Sequence, residues 1–275
     1  MSTQISRREF LGLAGGAAAA FGLGLAGCGS NSTGTDSGSA SSAGSSSSGS
    51  KSTYTIVMDT VYAPFEFTDD DGNFVGIDVD IINAVAADQG FDIDIKSIGF
   101  DAALAAIESG QADGMIAGMS ITDERKKKYD FSDSYYDSYV CAAAKADSDI
   151  SSLDDVAGMT VAAKTATTGC ECADTLASTY GYTVTYFDTS DLMYQDVLSG
   201  NSAVCFEDYP VLAYGITQDS GLKIVDEEKE DFSSPYGFAV KKGENAELLS
   251  MFQAGLKNLK ESGELDEICA KYFGE

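Results

Sequence analysis

In Tyr54-Thr55-Ile56-Val57-Met58 the side chains alternate about the chain, a period of two that predicts a short strand running into Asp59 and the turn-like Ala63-Pro64-Phe65. Phe74-Val75-Gly76-Ile77 leads to Asp78, read as a helix cap, and then to a helix with Ile81, Ile82 and Val85 on one face that ends near Gly90. Residues 91–98 alternate again, as a second strand. Strand, helix and strand in short units predict an α/β layered architecture.

A weak internal repeat refines that picture. Asp101 is placed to cap a helix carrying Leu104 and Ile107, which stops at Ser109-Gly110 before a strand over residues 112–117. Ninety residues on, Asp191 stands before a helix with Tyr194 and Val197, Ser199-Gly200 stops it, and Ala203-Val204-Cys205-Phe206 reads as a strand. Such units are common in α/β chains, but two at one offset favour two similar lobes. Between them, residues 133–144 pass from polar aromatic to apolar, and Ser151-Ser152-Leu153-Asp154-Asp155 opens a capped segment. The strand of residues 158–163 then leads into Lys164-Thr165-Ala166-Thr167-Thr168-Gly169. Gly237-Phe238-Ala239-Val240 reads as the last strand, followed by helices over 248–259 and 265–273. If that last stretch returns to the first lobe, the chain crosses between lobes twice, near 135–140 and 233–237, which makes a hinge. The predicted lobes are residues 53–138 with 235–275, and residues 139–234.

The N-terminal stretch has another purpose. Ser6-Arg7-Arg8-Glu9-Phe10-Leu11 is a twin-arginine pattern before a Gly/Ala-rich apolar run, residues 11–25, too short to span a bilayer well, so residues 1–27 read as an export signal. Leu25-Ala26-Gly27-Cys28 is similar to a bacterial lipobox, which implies cleavage to leave Cys28 as a lipidated terminus. A transmembrane helix with an incidental cysteine fits the length and the paired arginines less well. The Ser/Gly-rich residues 28–52 have no periodicity that could bury a core and read as a tether, with a root-mean-square span of roughly 25 Å. The expected location is extracytoplasmic, lipid-anchored to the cell membrane.

Composition narrows the chemistry. The chain has 275 residues and a net charge of −27, which makes it a poor nucleic-acid binder. It contains no histidine, which excludes His-containing catalytic triads and His-ligated zinc or iron. Apart from Cys28, the cysteines are Cys141, Cys170, Cys172, Cys205 and Cys269, an odd set without paired Cys-x-x-Cys spacing. Buried thiols or one disulfide are expected, with the pairing open, and neither a metal nor a cofactor.

Gly118-Met119-Ser120-Ile121-Thr122-Asp123-Glu124-Arg125 places an arginine in what reads as the first turn of a helix, where the macrodipole opposes a cation by about 0.3–1 kcal/mol. An anion is the natural reason for such a residue, because a guanidinium presents a planar fork that matches a carboxylate. The alternative is a solvated arginine opening the Lys126-Lys127-Lys128 run. A free amino acid in a cleft needs donors for its carboxylate and an acceptor for its ammonium, since either charge costs several kcal/mol when buried alone. Arg125 and the Ser120 hydroxyl supply the first, and Asp208 across the presumed cleft supplies the second. Thr167-Thr168-Gly169 adds donors at an expected helix N-terminus, and no Gly-Lys-Ser/Thr follows to make it a Walker loop.

A resemblance then becomes specific. Asp59, Tyr62 and Pro64-Phe65-Glu66-Phe67 come first, then Gly76 with Asp78-Val79-Asp80, then Phe100. Gly118-Met119-Ser120-Ile121-Thr122 with Glu124-Arg125, and Asp130-Phe131-Ser132 with Tyr135-Tyr136, complete a series that resembles the polar amino-acid-binding proteins of ABC importers, solute-binding family 3 of the glutamine-binding type. The resemblance covers essentially everything after the tether. It implies a two-lobed periplasmic-binding-protein fold with the cleft at the hinge, and a monomer that hands its ligand to a membrane permease. It makes Arg125 the clamp on the ligand carboxylate, aided by Ser120 and Thr168, and gives Asp208 and the Gly118 backbone the ammonium. Tyr62 and Phe100 would stack on the side chain, and Asp59 and Lys164 would meet a side-chain amide.

Two positions depart from the pattern: Ala166 stands where the family commonly has glycine, and Glu207 is an extra acid that disfavours acidic ligands or points to solvent. Each site residue also has a plainer reading. Tyr62 and Phe100 could be core aromatics, Asp59 a turn residue, Lys164 a surface lysine and Asp208 a helix cap. The alternative function is a periplasmic dehydratase-type enzyme on the same fold, with Glu207 as its acid or base. A sensory ectodomain is a third reading, for which no later transmembrane or signalling segment is seen. The expected function is that of a receptor and not an enzyme.

Overall fold

The structure is a computed structural model that describes residues 53–274, leaving aside the side chains of residues 228–231. The export signal (1–27), the lipidation site Cys28 and the tether (28–52) lie outside the described residues.

Two mixed sheets are built in succession. The first takes β1 (Thr53–Met58), then the small hairpin β2 (Phe67–Thr68) and β3 (Phe74–Val75) beside it, α1 (Ile77–Gln89), β4 (Asp92–Ser97), α2 (Phe100–Ser109), β5 (Gly114–Met115) and β6 (Tyr129–Phe131). The second takes β7 (Tyr139–Lys145), β8 (Thr160–Lys164), α3 (Thr168–Tyr180), β9 (Thr183–Phe187), α4 (Ser190–Leu198), β10 (Val204–Asp208), α5 (Tyr209–Thr217) and β11 (Leu222–Ser233). The chain then returns through β12 (Ala239–Lys241), α6 (Ala246–Ser262) and α7 (Glu264–Phe273). Strand order is β4-β1-β5-β12-β6 in one sheet and β11-β7-β10-β8-β9 in the other. The chain therefore crosses between sheets after β6 and again after β11. Tyr236, on the return crossing, bridges to both Ser120 and Tyr136.

The period of two in β1 buries both faces. Tyr54, Ile56 and Met58 join Ile81, Ile82, Val85, Phe238 and Phe252 on the side covered by α1 and α6. Val57 points the other way, into a core with Phe100, Ala103, Ile107 and Met115 under α2. The second sheet repeats this with smaller residues: Val140, Ala142 and Ala144 face α3, while Cys141 and Ala143 face Met193, Val197 and Leu212. Helical layers on both faces of each mixed sheet leave a natural crevice outside the C-terminal ends of the parallel strands β1, β5, β8 and β10.

Local expectations at helix starts need correction. Asp78, Asp101 and Asp191 do not cap: the cap positions are Gly76, Gly99 and Thr189, and the aspartates sit inside the first turn. The strand expected over 112–117 shortens to Gly114–Met115. Arg125 does not open an α-helix but a single 3-10 turn, Arg125–Lys127, so the macrodipole argument for it falls away and its role rests on the contacts below. Leu153–Val156 is likewise a 3-10 turn, with a Ser152/Asp155 capping box. All five described cysteines are free thiols, so no disulfide forms among them. No helix among the described residues is long and apolar enough to cross a membrane.

Candidate functional site

The strands' C-terminal ends deliver the site. Asp59 follows β1, Lys164 ends β8 and Asp208 ends β10, while Phe100 opens α2 and Thr168 opens α3 behind the Thr167 cap. Together with Tyr62, Gly118, Ser120 and Arg125, they line one cavity between the two sheets. The structure thus brings together every binding residue expected from the sequence.

Each contact has a chemical sense. Arg125 donates from one terminal nitrogen to the Ser120 carbonyl and from the other to the Ala166 carbonyl, both at 3.0 Å, with its guanidinium carbon 5.5 Å from the Phe100 ring centre. Those contacts hold the fork in place, and burial pulls its pKa down from the usual arginine value against the opposing field of Glu171 and Asp208. Thr168 Oγ1 donates to Ser120 Oγ at 2.8 Å, so the two hydroxyls meet across the cleft.

Asp208 is not a helix cap by its side chain: no cap bond is made to α5. Its Oδ2 accepts from Tyr62 Oη at 2.8 Å and Tyr236 Oη at 2.6 Å, and its Oδ1 from Ser234 Oγ at 3.1 Å. Desolvation raises its pKa, while the tyrosine and serine donors and the Arg125 charge pull the other way. An acceptor in such a setting gains from a nearby cation.

Lys164 is 2% exposed, which removes the surface-lysine reading, and its Nζ forms a buried ion pair with Asp59 Oδ2. The same ammonium lies 5.2 Å from the Tyr62 ring centre and 5.6 Å from that of Phe100. Both aromatics are therefore walls of the cavity as well as core residues. The cavity is only about 10 Å³, close to one water-sized site, and the Thr168–Ser120 and Lys164–Asp59 contacts cross it.

Glu207 does not point to solvent. It is buried and accepts from Ser190 Oγ at 2.8 Å and Tyr194 Oη at 3.2 Å, both on α4. Burial raises its pKa, with the Lys164 charge opposing. Ala166 adopts φ 60°, the left-handed conformation that glycine tolerates. Its carbonyl holds Arg125, so the conformation is tied to the site. Ala166→Gly is expected to raise stability by about 0.5–1 kcal/mol, and the melting temperature by about 2 °C, in a thermal melt. Sequence reasoning missed Ser234 and Tyr236, which looked only like the approach to β12.

The model of bacterial extracellular solute-binding proteins, family 3, matches residues 54–275. The chain belongs to that family. The arginine-binding extracellular protein ArtP of Bacillus subtilis (strain 168) is 32% identical over 215 residues, covering 77% of this chain and 82% of that protein. An ancestral arginine-binding protein bound to arginine shares 36% identity at a TM-score of 0.74, covering 81% of this chain and 99% of that one, and the same holds for identity and TM-score in its glutamine-bound form. The second substrate-binding domain of Lactococcus lactis GlnP, in its open conformation, is more identical at 42% but superposes less well, with a TM-score of 0.56 over 81% of this chain and 96% of that one. In this family 3 protein the Arg125–Ala166, Thr168–Ser120 and Lys164–Asp59 contacts join the two sheets across the cavity.

Proposed function

We propose that this protein binds a polar L-amino acid with an uncharged amide side chain, glutamine-like, and delivers it to the permease of an ABC importer by hinge closure. The buried Asp59–Lys164 pair carries the reading. With Arg125 on the carboxylate and Asp208 on the ammonium, the remaining end of the cleft offers one acceptor and one donor of opposite charge. An amide meets both, with its NH2 toward Asp59 and its carbonyl toward Lys164. A cationic side chain would sit against Lys164 and an acidic one against Asp59. Relatives that bind arginine support an amino acid as the ligand, and this pair favours an amide side chain within that class.

In this reading residues 53–138 with 235–275 and residues 139–234 move as two lobes about the two crossings. Twin-arginine export and a lipid on Cys28 hold the monomer outside the cytoplasmic membrane. Ligand contacts drawn from both lobes favour closure because they exist only there. Glu207, engaged by Ser190 and Tyr194, supports a receptor over an enzyme. The test is a thermal-shift panel of the common amino acids. Glutamine at about a thousandfold over its dissociation constant should stabilise by about 4 kcal/mol. No shift with any amino acid would end the proposal, and turnover of a prephenate-like acid would favour the dehydratase reading.

A further inference from the structure

A second pair of carboxyls lies behind the cleft, and the site described so far does not use it. Glu66 and Asp78 are both fully buried. The backbone forces them together: Ile77 N–H donates to the Pro64 carbonyl at 3.0 Å and Asp78 N–H to the Phe65 carbonyl at 2.9 Å. Gly76 permits the approach, because a Cβ there would lie 2.0 Å from the Phe65 carbonyl oxygen. Asp78 Oδ2 accepts the Gly118 N–H at 2.6 Å. Gly118 lines the ligand cavity at φ +50°, and a Cβ there would lie 2.4 Å from the Tyr62 ring. Asp78 therefore fixes the loop that carries Gly118, Ser120 and Arg125 from behind.

Neither Oε of Glu66 has a donor of good geometry among the described residues, and at Asp78 the Tyr135 hydroxyl is the donor beside the remaining oxygen. Two ionised carboxylates would leave both Glu66 oxygens buried without a hydrogen bond and set two like charges side by side. One proton between them supplies a donor and removes one charge. The titratable and charged neighbours do not neutralise the second charge. Asp59 raises the Glu66 pKa, and Lys164, which lowers it, already pairs with Asp59. Tyr135 is a neutral hydroxyl beside Asp78, Cys269 on α7 is a thiol, and Asp80 on α1 is turned outward to Lys271.

We propose that Glu66 and Asp78 act as a positioning pair that shares one proton, holding the Gly118 loop in its ligand-binding shape and loosening it when that proton is lost in alkaline solution. The electrostatics run the same way: burial, the first cause in both, raises Glu66 well above the usual carboxylate range and Asp78 to about 7. An unfolded chain releases these protons near pH 4, so between there and the raised values the native state holds more protons than the unfolded one. Stability contributed by the pair is thus greatest in acid and falls as pH rises through neutrality.

The proposal rests on the amino-acid-binding reading only for its affinity arm. Melting temperature and L-glutamine affinity are to be measured from about pH 5.5 to about pH 9 on the wild type, Glu66→Gln and Asp78→Ala. The wild type should lose melting temperature and about tenfold in affinity toward the alkaline end. Glu66→Gln, which keeps a neutral donor facing Asp78, should flatten both curves to within about twofold. Asp78→Ala should weaken binding at every pH; if it does not fold, Glu66→Gln still decides. Equal alkaline slopes in the wild type and Glu66→Gln, or a flat wild type, would overturn the proposal. If glutamine binds at no pH, the functional reading fails, and the melting curves still judge the pair.

Discussion

Arg125→Ala is expected to weaken amino-acid binding at least about 30-fold, because removing one partner of a desolvated, hydrogen-bonded charge pair costs about 2–5 kcal/mol. The arginine is pre-set by two backbone carbonyls, one from each lobe, and by the Phe100 ring. It therefore loses little freedom when it takes a carboxylate. The alanine variant removes the fork and also the bond to Ala166, a protein contact that favours closure. Arg125→Lys should recover little, since a point charge cannot take two carboxylate oxygens while holding both carbonyls. Titration calorimetry on the three proteins reads the effect. Wild-type affinity in Arg125→Ala would show that the carboxylate lies elsewhere.

Lys164→Met is expected to change what the cleft selects. The substitution keeps most of the side-chain volume, removes the ammonium and leaves Asp59 buried at 1% exposure without its ion-pair partner. An unpaired buried carboxylate costs several kcal/mol, and a ligand that brings its own cation recovers that cost. Glutamine should weaken about tenfold or more while arginine or lysine gains about tenfold or more, so their relative affinities shift by about 100-fold. Competition calorimetry measures the ratio. A ratio unchanged by the substitution would mean that Lys164 does not face the ligand side chain.

Several of the residues that line the cavity were legible in the sequence because they sit at the ends of short, clearly patterned elements. Asp59 after β1, Lys164 after β8 and Asp208 after β10 mark strand ends, where an α/β layer opens its crevice. The two sheets were legible for the same reason, as the repeat of helix and strand became α2 with β5 and α4 with β10. Helix starts were read less well. Asp78, Asp101 and Asp191 are of a residue type that favours caps, yet glycine or threonine holds each cap position, and Asp78 and Asp101 have other partners. Asp78 takes the Gly118 N–H, and Asp101 accepts from Thr165 Oγ1 across the cleft at 2.9 Å. The anion expected for Arg125 was argued from an unsound premise, since a three-residue turn has almost no dipole to oppose. Tyr236 and Ser234 were invisible because their role depends on the chain returning from the second sheet to meet Asp208, a contact that no local pattern encodes.

Calorimetric titration of the wild-type protein with L-glutamine and with L-arginine near pH 7 tests the central claim most directly. One glutamine per chain is expected, with arginine at least about 100-fold weaker because its guanidinium would meet the Lys164 ammonium. Arginine binding as tightly as glutamine, or the absence of any glutamine heat, would contradict it.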